Sequence, residues 1–591
     1  MYQLAQLKQY RNAELLEEYL GNPSVPEQEF SFKHSIELDE REEYPEAIAK
    51  LLEAWEFHHH YIPTAYGGKL QSYEELLMLI RVLSRRDLTV AIGHGKTYLG
   101  SVCVWVGSEQ EEQKYRLARI IKEQKQVSLG LTEKTHGSDL IGNEVEAVEV
   151  ENGYLLNGEK WLINNANRGK AITVFTKTDN NGNSRSFSVF LVEKDSLETS
   201  AYRHLPKIKT HGIRGADISG IGFDQALIPK ESLIGKLGAG LEITLKSLQI
   251  TRTICAGLSL GAADTALRST LDFALTRKLY GDNVFTIPHA QKLLVDAFLD
   301  ILICDCLAIA TSRAIQAAPA QMSLQSSIVK YFVPTTVEQL IHNLSVVLGA
   351  RYYVRENHWW GIFQKIVRDN AIVSLFDGST VVNLNAIALQ LKHLAKQRAK
   401  IDINQLTELD NHLENLFDLD KKLPEFNPQQ LELFNRQDNI LQGLEVSLGK
   451  LKTLQESPAL DSTLLENIIT LTLKLINFLK QLDETLKKLP TSRGHKESPE
   501  VFELAQQYCT LHAAAVCLHI WVHNRTQLGD FFGKGEWLAL CLHRLLGSLG
   551  QSLDTVPTAY RENAAQEMQK LYAQEQLFSI VPLQLAKSIV K

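Results

Sequence analysis

The pattern of apolar and polar positions changes along the chain and divides it into helical and β segments. Residues 1–127 carry apolar residues at helical spacing, and residues 72–75 (Ser-Tyr-Glu-Glu) have the sequence of a capping box. Residues 128–235 instead alternate between apolar and polar positions, and the Asn-Gly pairs at 152–153 and 181–182 are typical of hairpin turns. We therefore predict an N-terminal helical domain followed by a middle domain of antiparallel strands.

Helical patterning returns after residue 235 and continues to the end of the chain. Residues 236–397 contain long helical runs that predict a four-helix bundle. Residues 398–430 are rich in Asp, Asn and Gln and contain Pro424 and Pro428, which favours a connecting segment. Residues 431–591 predict an additional helical C-terminal extension. The predicted fold class is therefore a multidomain α+β protein.

One predicted helix of the extension has a continuous apolar stripe. Its members are Leu464, Ile468, Leu471, Leu475, Leu479, Leu482 and Leu486. Packing against neighbouring helices explains such a stripe most simply, and contact with a membrane surface or a partner helix is the alternative. The opposite face is not strongly basic, so the sequence gives membrane contact no further support.

Composition and charge narrow the functional classes. The chain has 591 residues, of which 44% are hydrophobic and 22% charged, and its formal net charge is −7. These values are typical of globular proteins and argue against a nucleic-acid partner. The N-terminal residues lack the apolar core of a signal peptide, and no run of about 18 uncharged apolar residues occurs. We expect a soluble cytoplasmic protein.

Cysteine and histidine spacing indicates neither a disulfide framework nor a metal site. The seven cysteines are scattered without metal-ligand spacing, and their number is odd. His519 and His523 share a helical face, but the Glu of a metalloprotease motif is absent between them. We predict a reducing compartment and no bound metal.

Six short motifs occur in a fixed order in the first two thirds of the chain. They are Leu-Thr-Glu-Lys-Thr-His-Gly-Ser-Asp at 131–139, Gly-Glu-Lys-Trp-Leu-Ile-Asn-Asn at 158–165, Arg252 in an apolar helix, Arg-Lys-Leu-Tyr-Gly at 277–281 with Gln291 downstream, Leu-Gly-Ala at 348–350, and Arg-Asp-Asn-Ala-Ile-Val-Ser-Leu-Phe-Asp-Gly-Ser at 368–379. Taken alone, several of these motifs are more typical of a turn, a helix end or a surface residue than of a binding site. Together, over about residues 40–395, they resemble the acyl-CoA dehydrogenase family, flavoproteins that desaturate an acyl thioester between its α and β carbons.

The resemblance implies FAD as the cofactor and assigns residues to two binding roles. The residues implied to hold FAD are Thr132, Ser138, Asn164, Arg277, Tyr280, Gln291, Gly349, Ala350 and Ser379. Those implied to contact the substrate are Ser138, Arg252 and Phe376. In relatives the Arg that matches Arg277 reaches the FAD of a neighbouring subunit, so a homo-oligomer is expected. Lys134, His136, Asn164 and Ala350 depart from the residues usual at their motif positions.

Asp377 falls on the position of the family's catalytic Glu, and the resemblance makes it the base that removes the α-proton. Asp is one methylene shorter than Glu, so its carboxylate stops about 1.5 Å short of the usual position. Some relatives carry the base one residue before the Arg that matches Arg252, but here that residue is Thr251. Asp377 is therefore the carboxylate available for the base.

Three functions remain open at this point. The first is desaturation of an acyl thioester on CoA or an acyl carrier protein, with electron transfer flavoprotein as acceptor. The second is a flavin-dependent oxidase similar to nitroalkane oxidases, which also use Asp and pass electrons to oxygen. The third is a scaffold subunit with little turnover. The helical extension resembles that of very-long-chain acyl-CoA dehydrogenases, in which dimers replace tetramers and the extension contributes to membrane association.

Overall fold

The computed structural model describes residues 7–355, 359–398, 406–455, 461–490 and 498–587. It confirms the predicted fold class, because a helical region, a β-domain, a helical bundle and further C-terminal helices follow one another along the chain. All seven cysteines are buried and unpaired, which agrees with the expectation of no disulfide framework.

The N-terminal domain supplies one wall of the site described below. Its helices are α1 (Lys8–Leu20), α2 (Phe32–Arg41), α3 (Glu46–Ala54), α4 (Tyr73–Ser84), α5 (Leu88–Gly107) and α6 (Glu111–Lys122). The predicted capping box is confirmed at α4, where the backbone N–H of Glu75 donates to Ser72 Oγ. Helices α4 and α5 are almost entirely buried, because both pack against the bundle that follows.

The middle domain is a sheet in which most, but not all, neighbouring strands are antiparallel. Its strands are β1 (Val127–Gly130), β2 (Glu146–Val150), β3 (Gly153–Asn164), β4 (Ala171–Lys177), β5 (Phe187–Glu193), β6 (Tyr202–Leu205) and β7 (Ile218–Ile228). Both predicted hairpins are confirmed, since β2 pairs antiparallel with β3 and β4 with β5. Strand β1, however, pairs parallel with β4. The β2–β3 hairpin lies between them in sequence and provides the crossover that a parallel pair requires.

The bundle consists mainly of long buried helices. Its elements are α7 (Gly240–Thr276), β8 (Lys278–Leu279), β9 (Asp282–Asn283), α8 (Pro288–Ala317), α9 (Met322–Leu348), α10 (Ile362–Asn370) and α11 (Thr380–Arg398). Helix α9 packs against α7, α8 and α11, as expected for a four-helix bundle. The β8–β9 hairpin connects α7 to α8.

The extension is helical, as predicted, but it begins earlier than expected. Its helices are α12 (Leu406–Phe417), α13 (Asn439–Gln442), α14 (Leu444–Leu454), α15 (Ser462–Lys488), α16 (Pro499–Asn524), α17 (Gly529–Lys534), α18 (Glu536–Ser548) and α19 (Thr558–Ala573). Helix α12 lies within the segment predicted to be a connection. Leu409, Leu413 and Leu416 are buried where α12 packs on α8 and α16. The polar composition of the segment favoured a connection, but these tertiary contacts stabilise a helix.

The predicted apolar stripe is the buried face of α15. All seven of its members are buried, and α15 packs against α11, α14, α16 and α18. Within the described part of the chain, α15 is also the helix that is long and apolar enough to cross a membrane, and half of its most apolar stretch is buried in the protein. From the sequence we expected no segment able to span a membrane. The packing nevertheless accounts for the stripe.

Candidate active site

Asp377 lies in a tight turn between α10 and α11 that depends on positive backbone φ angles. The φ angle is 55° at Asp377 and 95° at Gly378. A Cβ atom at Gly378 would lie 2.8 Å from the nearer guanidinium nitrogen of Arg252. Glycine is therefore required after Asp377, both for the left-handed conformation and for the close approach of Arg252.

Two buried cations hold the backbone of this turn. Arg252 Nε donates to the carbonyl of Asp377 at 2.9 Å, and Lys330 Nζ donates to the carbonyls of Val373 at 2.6 Å and Gly378 at 3.2 Å. Arg252 is 7% exposed and Lys330 is 1% exposed. Burial lowers the pKa of Lys330. Arg252, which the resemblance implies to contact substrate, thus helps to orient Asp377. Because Arg252 lies in α7 and Lys330 in α9, these two helices together position the turn.

The Asp377 side chain faces a cavity of about 50 Å³ between α4, α5 and α7. Its walls are mainly apolar and include Ile80, Leu99 and Leu258. The thiol of Cys255 donates to Asp377 Oδ2, with the sulfur 3.7 Å from the oxygen. Burial, followed by the charge of Asp377, raises the pKa of Cys255 to about 12. The thiol therefore stays protonated and acts as a weak donor to the carboxylate.

The Arg-Asp pair at the start of the same motif is structural. Asp369 accepts from the backbone N–H of Ile213 at 2.6 Å and from Lys365 Nζ at 2.5 Å. Lys365 Nζ also donates to Asp87 at 2.6 Å, at the start of α5. Arg368 pairs with Asp39 of α2. These contacts connect α10 to the N-terminal domain and so fix the approach to the Asp377 turn.

Asn164 has the environment expected of a ligand contact. It ends β3 after a bulge, is 8% exposed, and neither polar atom of its amide has a hydrogen-bond partner among the described residues. A buried amide without partners is destabilising unless a ligand satisfies it. The neighbouring Asn165 donates to the carbonyl of Gly93 at 2.7 Å, which attaches this strand end to α5, the helix that lines the cavity.

The loop that carries Thr132 and Ser138 is held by one buried ion pair. Lys160 Nζ donates to Glu133 Oε1 at 2.7 Å and to the carbonyl of Leu131 at 3.2 Å. Burial lowers the pKa of Lys160 to about 8, although Glu133 opposes this shift. Thr132 is half-buried and Ser138 is exposed. The loop is thus anchored at its base and open to a ligand at its tip.

The remaining residues implied to bind FAD lie on the protein surface. Arg277 and Tyr280 are exposed on the β8–β9 hairpin, Gly349 and Ala350 are exposed after α9, and Gln291 is half-buried in α8. Ser379 is half-buried at the start of α11, where its hydroxyl accepts from the backbone N–H of Val382 at 3.5 Å. The structure therefore brings Asp377, Phe376 and Arg252 together and leaves Arg277 and Tyr280 exposed on the surface.

The residues present fit FAD. Asn164 offers an unsatisfied amide, the Thr132 loop is open at its tip, and Arg277 offers an exposed guanidinium suited to a diphosphate. A Cβ atom at Gly349 would meet nothing within 4 Å, so this surface is also free to receive a ligand.

Three residues near Asp377 were missed by the sequence analysis. They are Lys96, Cys255 and Lys330. Lys96 is the one charged residue in the sequence of α5, and this isolation was the signal that could have identified it. The distant contacts of Lys330 left no comparable signal in the sequence.

Comparison with known proteins agrees with this geometry. Residues 128–226 match the family model of the acyl-CoA dehydrogenase middle domain, and residues 238–392 match that of the C-terminal domain. A probable acyl-CoA dehydrogenase of Mycobacterium leprae is 24% identical over 349 residues, which cover 59% of this chain and 88% of the relative.

Two solved structures show the same fold. Glutaryl-coenzyme A dehydrogenase has a TM-score of 0.58 at 20% identity, and the match covers 65% of this chain and 95% of that one. The prolyl acyl carrier protein oxidase AnaB has a TM-score of 0.57 at 18% identity, covering 65% and 98%. The segments that match the two family models contain the Asp377 turn, Arg252 and Lys330, and the end of β3 at Asn164. The middle β-domain and the helical bundle therefore correspond to the middle and C-terminal domains of acyl-CoA dehydrogenases.

Proposed function

We propose that this protein uses FAD to desaturate an acyl thioester between its α and β carbons, with Asp377 as the base. The observation that carries the proposal is the position of the Asp377 carboxylate, which faces an apolar cavity while two cations hold its backbone. Relatives named as acting on CoA thioesters and one named as acting on a carrier protein support a thioester on either carrier.

The residues of this chain have distinct tasks in the reaction. Asp377 accepts the α-proton, and Arg252 and Lys330 keep its turn in one conformation while Cys255 donates to the carboxylate. FAD, held by residues such as Asn164 and Arg277, would supply the hydride acceptor, so that the thioester would lose a proton to Asp377 and a hydride to the flavin. The apolar walls exclude water and favour proton transfer within the cavity.

The partners of the reaction follow from the same proposal. Electron transfer flavoprotein is the proposed acceptor of the electrons, with oxygen as the competing acceptor. The exposed Arg277 and Tyr280 would reach the FAD of a second copy of the chain, so we propose a homodimer as the active form.

The test is the visible spectrum of the FAD-loaded protein during anaerobic addition of a panel of saturated acyl-CoA thioesters. Wild-type flavin is expected to bleach with at least one thioester. Asp377→Asn should slow bleaching by about 100- to 10,000-fold, because it removes the base and keeps the size of the side chain. Asp224→Asn, an exposed position of the β-domain, is the matched control and should bleach normally.

Each other outcome has a definite meaning. Full activity of Asp377→Asn would remove Asp377 from the role of base. Peroxide release with a nitroalkane, without bleaching by thioesters, would identify the oxidase function. Colourless protein that cannot be reconstituted with FAD would support the scaffold function.

A further inference from the structure

Lys96 places a positive charge in the wall of the acyl cavity. It lies in α5, is half-buried, and shares the cavity with Asp377, the other charged residue of the lining. The remaining lining consists of aliphatic, aromatic and small side chains such as Leu76, Ile92 and Tyr98. Neither the proposed base chemistry nor the implied FAD contacts use Lys96.

The Lys96 charge has no counter-ion in the described part of the chain. Its ammonium group lies 4.2 Å from the centroid of the Phe376 ring, and it forms no ion pair with any described carboxylate. Arg252 and Lys330 form no ion pair with a described carboxylate either, but Arg252 Nε and Lys330 Nζ donate to carbonyl groups of the Asp377 turn. Of these three cations, Lys96 is the one that lines the cavity.

A charge without an ion pair is costly in a mainly apolar cavity, and a ligand that brings an anion beside it lowers this cost. The same charge repels a ligand that carries a cation, so Lys96 favours anionic ligands and disfavours cationic ones. A neutral acyl chain would leave the ammonium group desolvated without a partner.

The position of Lys96 also limits the length of the acyl group. Because Lys96 rests on Phe376, the residue before Asp377, a group that binds Lys96 lies within a few bonds of the carbon that Asp377 deprotonates. The cavity volume of about 50 Å³ is small. This volume favours a short acyl group over a long one.

We propose that Lys96 selects a short acyl group that ends in a carboxylate, the monothioester of a short dicarboxylic acid. The proposal rests on the proposed function, because it specifies the acyl group of the same thioester. The distal carboxylate pairs with the Lys96 ammonium group and sets the α-carbon against Asp377.

The test compares glutaryl-CoA with pentanoyl-CoA, which have the same five-carbon chain and differ in the terminal carboxylate. Affinity is measured by calorimetry with FAD-loaded protein in the Asp377→Asn background, where turnover is suppressed, and bleaching rates are measured with Asp377 intact. Protein with Lys96 should bind glutaryl-CoA roughly tenfold or more tightly than pentanoyl-CoA. Lys96→Met should remove this preference and Lys96→Arg should retain most of it. Lys452→Met, an exposed position of α14, is the control.

The outcomes separate this inference from the proposed function. Retained binding of pentanoyl-CoA shows that Lys96→Met is folded. An equal loss of both ligands, or a preference of the wild type for pentanoyl-CoA, overturns the role of Lys96. Bleaching by pentanoyl-CoA without binding of glutaryl-CoA overturns it while the proposed function stands. A Lys96-dependent preference without any bleaching supports Lys96 and contradicts the proposed function.

Discussion

At the scale of single residues, the site is built around a carboxylate with little room to move. Asp377 has a left-handed backbone, its carbonyl is held by Arg252, and its carboxylate accepts from Cys255. The next residue can only be glycine without displacing Arg252. These constraints fix the direction of a short side chain, and under the proposed function they hold the Asp377 carboxylate in place as the base.

This arrangement predicts that the longer carboxylate is the worse base here. Asp377→Glu adds a methylene inside a cavity of about 50 Å³ and moves the carboxylate away from Cys255. We expect flavin bleaching to slow by roughly 10- to 100-fold, because overpacking and misplacement by about 1 Å both raise the barrier. Stopped-flow absorbance measures the rate, and Asp224→Glu is the control. A variant as fast as the wild type would show that the cavity is not shaped for Asp.

At the scale of elements, the sequence predicted the features that depend on neighbouring residues. It did not predict the features that depend on contacts between remote segments. The Asn-Gly turns and the Ser72 cap depend on residues a few positions apart, and the structure confirms them. The parallel pairing of β1 with β4 and the helix α12 depend on contacts with remote segments. At the site, motif order located Asp377, but the contact between Lys330 and Val373 spans 43 positions and had no sequence signal.

The β8–β9 hairpin provides a prediction at this scale. Arg277 and Lys278 are adjacent and exposed, but the resemblance assigns FAD contact to Arg277 alone. Arg277→Met should weaken FAD binding by roughly 10- to 100-fold, as expected for the loss of a charge-assisted contact with a diphosphate. The ratio of flavin absorbance to protein absorbance after gel filtration measures the retention of FAD. Lys278→Met is the matched control, and equal retention in both variants would contradict the assignment.

At the scale of the whole molecule, the C-terminal residues return to the dehydrogenase core. Arg81 of α4 donates to the carbonyl of Phe578 at 2.7 Å, and Asp264 of α7 accepts from its N–H at 3.0 Å. Asp305 of α8 accepts from Ser579 Oγ at 2.6 Å. Three core helices thus use buried polar groups to bind the end of the extension. Removing that end would break these buried hydrogen bonds, so the extension and the core are expected to unfold together.

A substitution at Phe578 tests whether the extension and the core unfold together. Its side chain is fully buried, its ring meets that of Phe298 edge-on at 5.9 Å, and the Arg268 guanidinium lies 4.7 Å from its centroid. Phe578→Ala should lower the free energy of unfolding by about 3–5 kcal/mol, as for other buried Phe-to-Ala changes. Scanning calorimetry should show a single transition at lower temperature, because the lost contacts join the extension to α7 and α8. Leu473→Ala, at a position of α15 that is 41% exposed, should change the transition little. An unchanged main transition with a separate early one would mean that the extension folds independently of the core.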